Sequence, residues 1–211
     1  MSASIRVACF DLGGVVVRIC RTFEEAVLSS GVPLRHAPDD KAWMARARGL
    51  MDAHQLGQLS GESFHRAMSD ALSGLYTPQE FERIHAAVTR DAYANIESTI
   101  RAIRAAGIVT ACLSNTNDDH WRVLVEMPAL KALDHRFASH LWGVAKPNEA
   151  IYRRFERELG VRGDEIVFFD DLPENVAAAG ALGWDALLID HAGDTASQVT
   201  AALRARGITL A

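Results

Sequence analysis

Four short apolar runs constrain this chain more than any other feature of its sequence. They are Ile5-Arg6-Val7-Ala8-Cys9-Phe10, Ile108-Val109-Thr110-Ala111-Cys112-Leu113, Ile166-Val167-Phe168-Phe169 and Ala186-Leu187-Leu188-Ile189, each bounded by turn or helix signals. Such runs suit strands buried on both faces, as in a parallel sheet covered by helices. Helical segments of suitable length lie between the last three. Glu149 to Leu159 ends at Gly160, and Glu174 to Leu182 ends at Gly183, each with glycine just past the terminus. Ile96 to Ala106 runs into Gly107 and then directly into the second strand. The alternation from Ile96 onward predicts an α/β fold, a doubly wound parallel sheet.

The stretch from about Arg21 to Asn95 reads differently, because it shows no convincing strand. Thr77-Pro78-Gln79-Glu80 is a capping box with proline at the first helical position, and Ser60 before Glu62 and Phe64 is another helix start. Helices are expected over 22–30, 39–55, 61–74 and 78–92. The expectation is a core made of residues 1–18 and 96–211, with an all-helical cap, residues 19–95, inserted after the first strand.

A length of 211 residues accommodates one core plus a smaller insertion. The 49% hydrophobic and 23% charged content is that of a globular chain rather than a disordered one. A formal net charge of -5 gives no electrostatic support to a nucleic-acid partner or an acidic membrane. Cys9, Cys20 and Cys112 follow no metal-ligand spacing and no disulfide pattern; Cys9 and Cys112 lie in strand-like runs as small core residues. The start, Met1 to Arg6, lacks the apolar stretch of a signal peptide, and no later segment is apolar enough to span a bilayer. A reducing cytoplasm and no membrane partner are expected.

Three of the runs end in polar residues suited to chemistry: Asp11, Ser114, and the pair Asp170-Asp171. In an open α/β sheet the ligand sits outside the carboxyl ends of the strands, so these groups should converge. Each alone is as well explained as a helix cap or turn former; the case rests on all of them together.

Phe10-Asp11-Leu12-Gly13-Gly14-Val15-Val16, Leu113-Ser114-Asn115-Thr116-Asn117, Ala145-Lys146-Pro147-Asn148-Glu149-Ala150-Ile151-Tyr152 and Phe169-Asp170-Asp171 resemble, in order, the four motifs of the haloacid dehalogenase (HAD) superfamily. The nearest likeness is to the branch of sugar-1-phosphate phosphatases and of the phosphatase domain fused to some epoxide hydrolases. The resemblance implies a Rossmann-like core with a helical cap. It also implies Mg²⁺-dependent hydrolysis of a small phosphorylated metabolite, such as a sugar phosphate, by a monomer or homodimer.

In that scheme Asp11 attacks phosphorus and forms an aspartyl-phosphate, splitting one difficult displacement into two easier ones. A phosphate monoester repels a bare carboxylate, so a cation must offset the charge; Mg²⁺ takes oxygen ligands and keeps several waters. Asp11, the Gly13 carbonyl, Asp171 and the adjacent Asp170 would supply the protein's ligands. Gly13-Gly14 would let the backbone pass close to the phosphoryl group. Ser114 and the backbone amides of Asn115 and Thr116 would donate to its oxygens, and Lys146 would place a positive charge beside both. Asn148 reads as a helix cap.

One position departs from the pattern. Many phosphatases of the superfamily carry a second aspartate two residues after the nucleophile, which protonates the leaving oxygen; this chain has Gly13 there. Positioned general acid catalysis contributes typically about 10²–10⁴-fold, so fast turnover of unactivated alkyl phosphates is not expected. Two other readings follow: a phosphate- or partner-binding protein that has lost catalysis, and a 2-haloacid dehalogenase, which the fourth-motif acids oppose. The eight histidines show no pair at the one-turn spacing of a helical zinc site and read as surface or boundary residues. His120, just after the second motif, reads as a packing residue.

Overall fold

The computed structural model describes residues 4–35 and 41–210. The chain opens with β1 (Val7–Phe10), turns at once into β2 (Val17–Ile19), and then forms α1 (Phe23–Ser30), α2 (Lys41–Gln55), α3 (Gly61–Ala71) and α4 (Pro78–Ala86). It returns through β3 (Thr89–Ala92), α5 (Ile96–Ala105), β4 (Val109–Ser114), α6 (Asp118–Leu124), α7 (Pro128–Lys131), β5 (His135–Ala138) and α8 (Ser139–Trp142). The remainder is α9 (Glu149–Leu159), β6 (Ile166–Asp170), α10 (Pro173–Ala181), β7 (Asp185–Leu188) and α11 (Thr195–Ala205).

All four apolar runs are strands of one five-stranded sheet in the order β5-β4-β1-β6-β7, every pair parallel. The sheet is covered on both faces, which is why these strands lack polar alternation. Phe10 and Phe169 point to the α5 and α11 side and stack at 5.3 Å, while Cys9 and Phe168 face α9 and α10. Cys9 and Cys112 are free and buried, as expected. The helix ends follow the glycine signals: Gly160 caps α9 at φ 62.

Three strands were not foreseen: the three-residue strand β2, and also β3 and β5. β5 was missed because at the sheet edge its first residues, His135 and Arg136, are exposed and carry no apolar pattern. β3 corrects the expected helix over 78–92, which stops at Ala86: Thr89–Ala92 pairs antiparallel with β2 instead. The inserted segment is therefore helical except for this two-stranded ribbon at its root. Thr89-Arg90-Asp91-Ala92 has no buried residue, so nothing in its pattern announced a strand.

The helices α1 to α4 enclose a hydrophobic cluster of their own, built around Phe64, Tyr76, Phe81 and Ile84. The capping box opens α4, with the Thr77 hydroxyl accepting from the Glu80 amide at 3.2 Å and the Glu80 carboxylate accepting from the Thr77 amide at 2.9 Å. Ser60 caps α3 by accepting from the Ser63 amide. The expected start of the second helix at residues 39–40 lies outside the described residues. The insertion touches the core where the Ser139 hydroxyl donates to the Gln55 carbonyl at 2.7 Å. Close beside it is Gly57 at φ +70, where a Cβ would stand only 2.5 Å from the His140 carbonyl.

Candidate active site

Parallel pairing places the ends of β1, β4 and β6 side by side. Asp11 follows Phe10, Ser114 ends β4 and Asp170 ends β6, and all three are buried. The Asp11 amide donates to the Phe169 carbonyl at 2.8 Å, so the ladder between β1 and β6 carries the nucleophile candidate into position. The convergence expected from the strand ends is thus present.

At the centre stands Lys146, only 4% exposed. Its ammonium donates to Asp11 Oδ1 at 2.7 Å and to Asp170 Oδ2 at 2.6 Å. Burial alone would lower the lysine pKa; the two carboxylates outweigh it and hold the value above the ordinary one. The Asp11 carboxyl also rises, but there burial is the cause and the ion pair resists it. Burial pushes its carboxyl up to about 7, Lys146 opposes that rise, and Asp170 adds to it.

Asp170 is fully buried, and its oxygens accept from Lys146, from the Leu172 amide at 2.9 Å and from Asn175 Nδ2 at 3.1 Å. Asp171 instead accepts at 2.6 Å from Arg21, a residue that the sequence reading passed over as the start of the insertion. Only the tertiary structure brings Arg21 there, by running the chain from β2 back across the strand ends. Gly14 lies at φ +85 between them; a Cβ would be 2.2 Å from Arg21 Nη2 and 2.4 Å from Asp171 Oδ2. A glycine is required at that place both by the backbone and by the space.

Asp11, Asp170 and Asp171 present carboxylate oxygens within 4.8 Å of one another. Lys146 and Arg21 set two positive charges against these three negative ones. The remaining charge and the all-oxygen donor set fit a hard divalent cation such as Mg²⁺.

One expectation for the second motif needs correction. The Thr116 amide is already given to the Ser139 hydroxyl at 3.0 Å, so it is not open to a phosphoryl group. Asn115 turns its side chain onto the third motif: its Nδ2 donates to the Lys146 carbonyl at 2.7 Å, and its Oδ1 accepts from the Lys146 amide at 2.8 Å. That clamp fixes the lysine main chain. Asn148 caps α9 as expected, accepting from the Ala150 amide at 2.9 Å.

Beside these groups, between strand ends and insertion, is a cavity of about 440 Å³. Gly13, Ser114 and Asn115 form its floor, and Phe23, Met51, Phe64, Met68, Phe81 and Ile84 from the insertion form an apolar wall. Another depression, of about 700 Å³, lies at the opposite ends of the strands around Arg6, Val109 and His135. It is remote from the carboxylates. Ile19 occupies the space a longer residue at position 13 would need, with its Cδ1 at 3.1 Å from where a Cβ would be.

The histidines also depart from expectation. His54 and His65 are buried, and His85 and His120 stack at 4.1 Å on the same side of the cavity. They come from four different helices, so no spacing along the chain could reveal the cluster.

Comparison with known proteins places this geometry. A family model described as haloacid dehalogenase-like hydrolase matches residues 5–183, and the chain belongs to that family. It is 27% identical to a phosphatase of Mycobacterium tuberculosis, over 98% of this chain and 97% of that protein. It is 26% identical to a sesquiterpene phosphatase of Aspergillus oryzae, over 87% of this chain and 89% of that protein. Among solved structures, a HAD family enzyme from Bacteroides thetaiotaomicron in complex with magnesium and inorganic phosphate superposes with a TM-score of 0.74 at 18% identity. The match covers 90% of this chain and 97% of that one. At that identity the likeness concerns the fold. Among the described residues, no helix is long and apolar enough to cross a membrane.

Proposed function

From that family membership we propose that the chain is a Mg²⁺-dependent phosphatase that cleaves the phosphate monoester of an apolar organic group. The observation carrying this reading is the lysine-bridged cluster of Asp11, Asp170 and Asp171 opening onto an apolar cavity. The names of the Mycobacterium and Aspergillus relatives and the magnesium and phosphate in the Bacteroides enzyme agree with it.

Lys146 holds Asp11 Oδ1 and leaves Oδ2 to attack phosphorus, as the bond to the leaving oxygen breaks. Asp170, saturated by hydrogen bonds, orients Lys146, while Asp11, Asp171 and the Gly13 carbonyl hold the cation. When bound, a cation held by these groups would offset the charge of the phosphoryl group and favour the ionised Asp11 carboxylate that attack requires. The Ser114 hydroxyl and the Asn115 amide donate to phosphoryl oxygens. Water then attacks the aspartyl-phosphate and regenerates the Asp11 carboxylate. No side chain at position 13 protonates the leaving oxygen, which takes its proton from water.

In this reading residues 19–95 act as a cap on a core of 1–18 and 96–211. The cap excludes water and selects the leaving group. Although Arg21, Gln55, Asn117 and His120 also line the cavity, its wall of Phe23, Phe64, Phe81 and Met68 favours an apolar group over the sugar phosphate that the resemblance implies. An alkyl or aryl group gains about 25 cal/mol for each Å² it buries there. A panel of aryl, isoprenoid and sugar phosphates assayed in Mg²⁺ tests this. Apolar phosphates should lead the panel, and both EDTA and Asp11→Asn should reduce hydrolysis to background. Equal or better hydrolysis of sugar phosphates would overturn the substrate class, and activity in EDTA would overturn the mechanism.

A further inference from the structure

The histidine cluster has a chemistry of its own. His54 of α2 and His85 of α4 meet Asp119 of α6, so the insertion and the core both contribute. His54 Nδ1 lies 2.9 Å from the Leu59 carbonyl. A carbonyl only accepts, so Nδ1 carries the proton, and in the neutral ring Nε2 presents a lone pair. That lone pair faces Asp119 Oδ2 at 3.3 Å, another acceptor. Both atoms are buried, and neither has a hydrogen-bond partner among the described residues. His85 Nδ1 stands 3.9 Å from the same oxygen. Buried acceptors that confront one another are costly unless a positive charge lies between them.

We propose that His54 Nε2, His85 Nδ1 and Asp119 Oδ2 form a site for a divalent ion of the zinc class, separate from the Asp11 centre and joining the insertion to the core. Ligand atoms about 2.0–2.1 Å from a tetrahedral ion stand about 3.3–3.4 Å apart. The separations of 3.3 and 3.9 Å require only a small closure. Imidazole with one carboxylate is a donor set that selects zinc over magnesium. The Leu59 carbonyl on His54 Nδ1 is an outer partner of the kind that fixes a ligating imidazole. Phe64, stacked on the His54 ring at 4.3 Å, sets its plane. Gly61 leaves room for the carboxylate, since a Cβ there would lie 2.3 Å from Asp119 Oδ2.

His65 Nε2 stands beside these three atoms, 3.6 Å from Asp119 Oδ2 and 3.1 Å from His85 Nδ1. His85 Nε2 accepts from Asn117 Nδ2 at 3.3 Å, so an ion at Nδ1 requires the ring proton to move to Nε2 and the Asn117 amide to turn away.

The test uses the full chain, stripped with chelator and then held in excess Mg²⁺ so that the Asp11 centre is filled with its own cation. Zn²⁺ titrated by calorimetry should bind at one equivalent per chain. Co²⁺ in its place should give the intense visible bands of a four-coordinate ion, and Zn²⁺ should raise the melting temperature. Asp119→Asn, which keeps shape, and His54→Gln should each weaken Zn²⁺ binding about 100-fold or more, while Asp11→Asn leaves it unchanged. If His54→Gln does not fold, Asp119→Asn and the Co²⁺ spectrum of the unaltered chain carry the test. Two results would overturn the proposal: Zn²⁺ binding no tighter in the unaltered chain than in Asp119→Asn, or binding lost in Asp11→Asn. The first leaves the His54–Asp119 pair to share a proton; the second puts the ion at the carboxylate cluster.

Discussion

Replacing Asp11 by asparagine should stop hydrolysis and, in metal-free buffer above neutrality, make the folded chain more stable. The physical origin is the burial that pushes the Asp11 carboxyl from 3.8 up to about 7, against Lys146 and with Asp170. This rise of about three units corresponds, at about 1.4 kcal/mol per unit, to a ceiling of about 4 kcal/mol. Between those two pH values the folded chain holds a proton that the unfolded chain has lost. The stabilisation is therefore complete below about pH 4 and disappears as pH rises through about 7. At pH 8 the wild type carries an ionised, buried carboxylate, and the amide removes that burden. Asparagine also gives up the 2.7 Å charge-assisted bond from Lys146, so about half the ceiling should survive. A net gain on the order of 2 kcal/mol is about 4–8 °C in Tm for a chain of this size. Thermal melts of both proteins at pH 5 and pH 8 in EDTA provide the assay. The variant should lead at pH 8, the difference should shrink toward zero at pH 5, and millimolar Mg²⁺ should close it by stabilising the wild type. A variant less stable at pH 8, or a difference independent of pH, would refute the idea that Asp11 holds an unrelieved charge.

Three further perturbations follow from the same geometry. Gly14→Ala forces a side chain into φ +85 and against Arg21 and Asp171, so activity should fall at least about 100-fold with a stability loss of about 1–3 kcal/mol; near-normal kcat/KM would contradict the packing. Asn115→Ala removes both hydrogen bonds that clamp the Lys146 main chain, and a drop in kcat of about 10–100-fold with little change in KM is expected from steady-state kinetics. Across aryl phosphates of nearly constant shape, log kcat/KM should decline as leaving-group pKa rises, because no acid stands at position 13. Gly13→Asp should flatten that slope only together with Ile19→Ala, since Ile19 fills the space the new side chain needs. A flat slope in the wild type would point to another proton donor.

Much of the core was legible because its cause is local. A strand buried on both faces must be apolar along its length, so β1, β4, β6 and β7 announced themselves, and their parallel order put Asp11, Ser114 and Asp170 at neighbouring ends. Helix caps are likewise settled within a few residues, as Thr77, Asn148 and Gly160 show. β3 and β5 were hidden because each buries little, and an exposed strand has no pattern to read. The sites depended on the same distinction. Asp11, Lys146, Asp170 and Asp171 could be chosen from ordered motifs, but which acids Lys146 bridges and which Arg21 meets is decided by packing between segments 24 to 150 residues apart. The role of Asn115 as a clamp, the apolar wall of the cavity and the meeting of His54, His85 and Asp119 belong to tertiary structure alone. Each needs groups from separate segments of the chain to reach one point, and a linear sequence carries no periodicity for such a convergence.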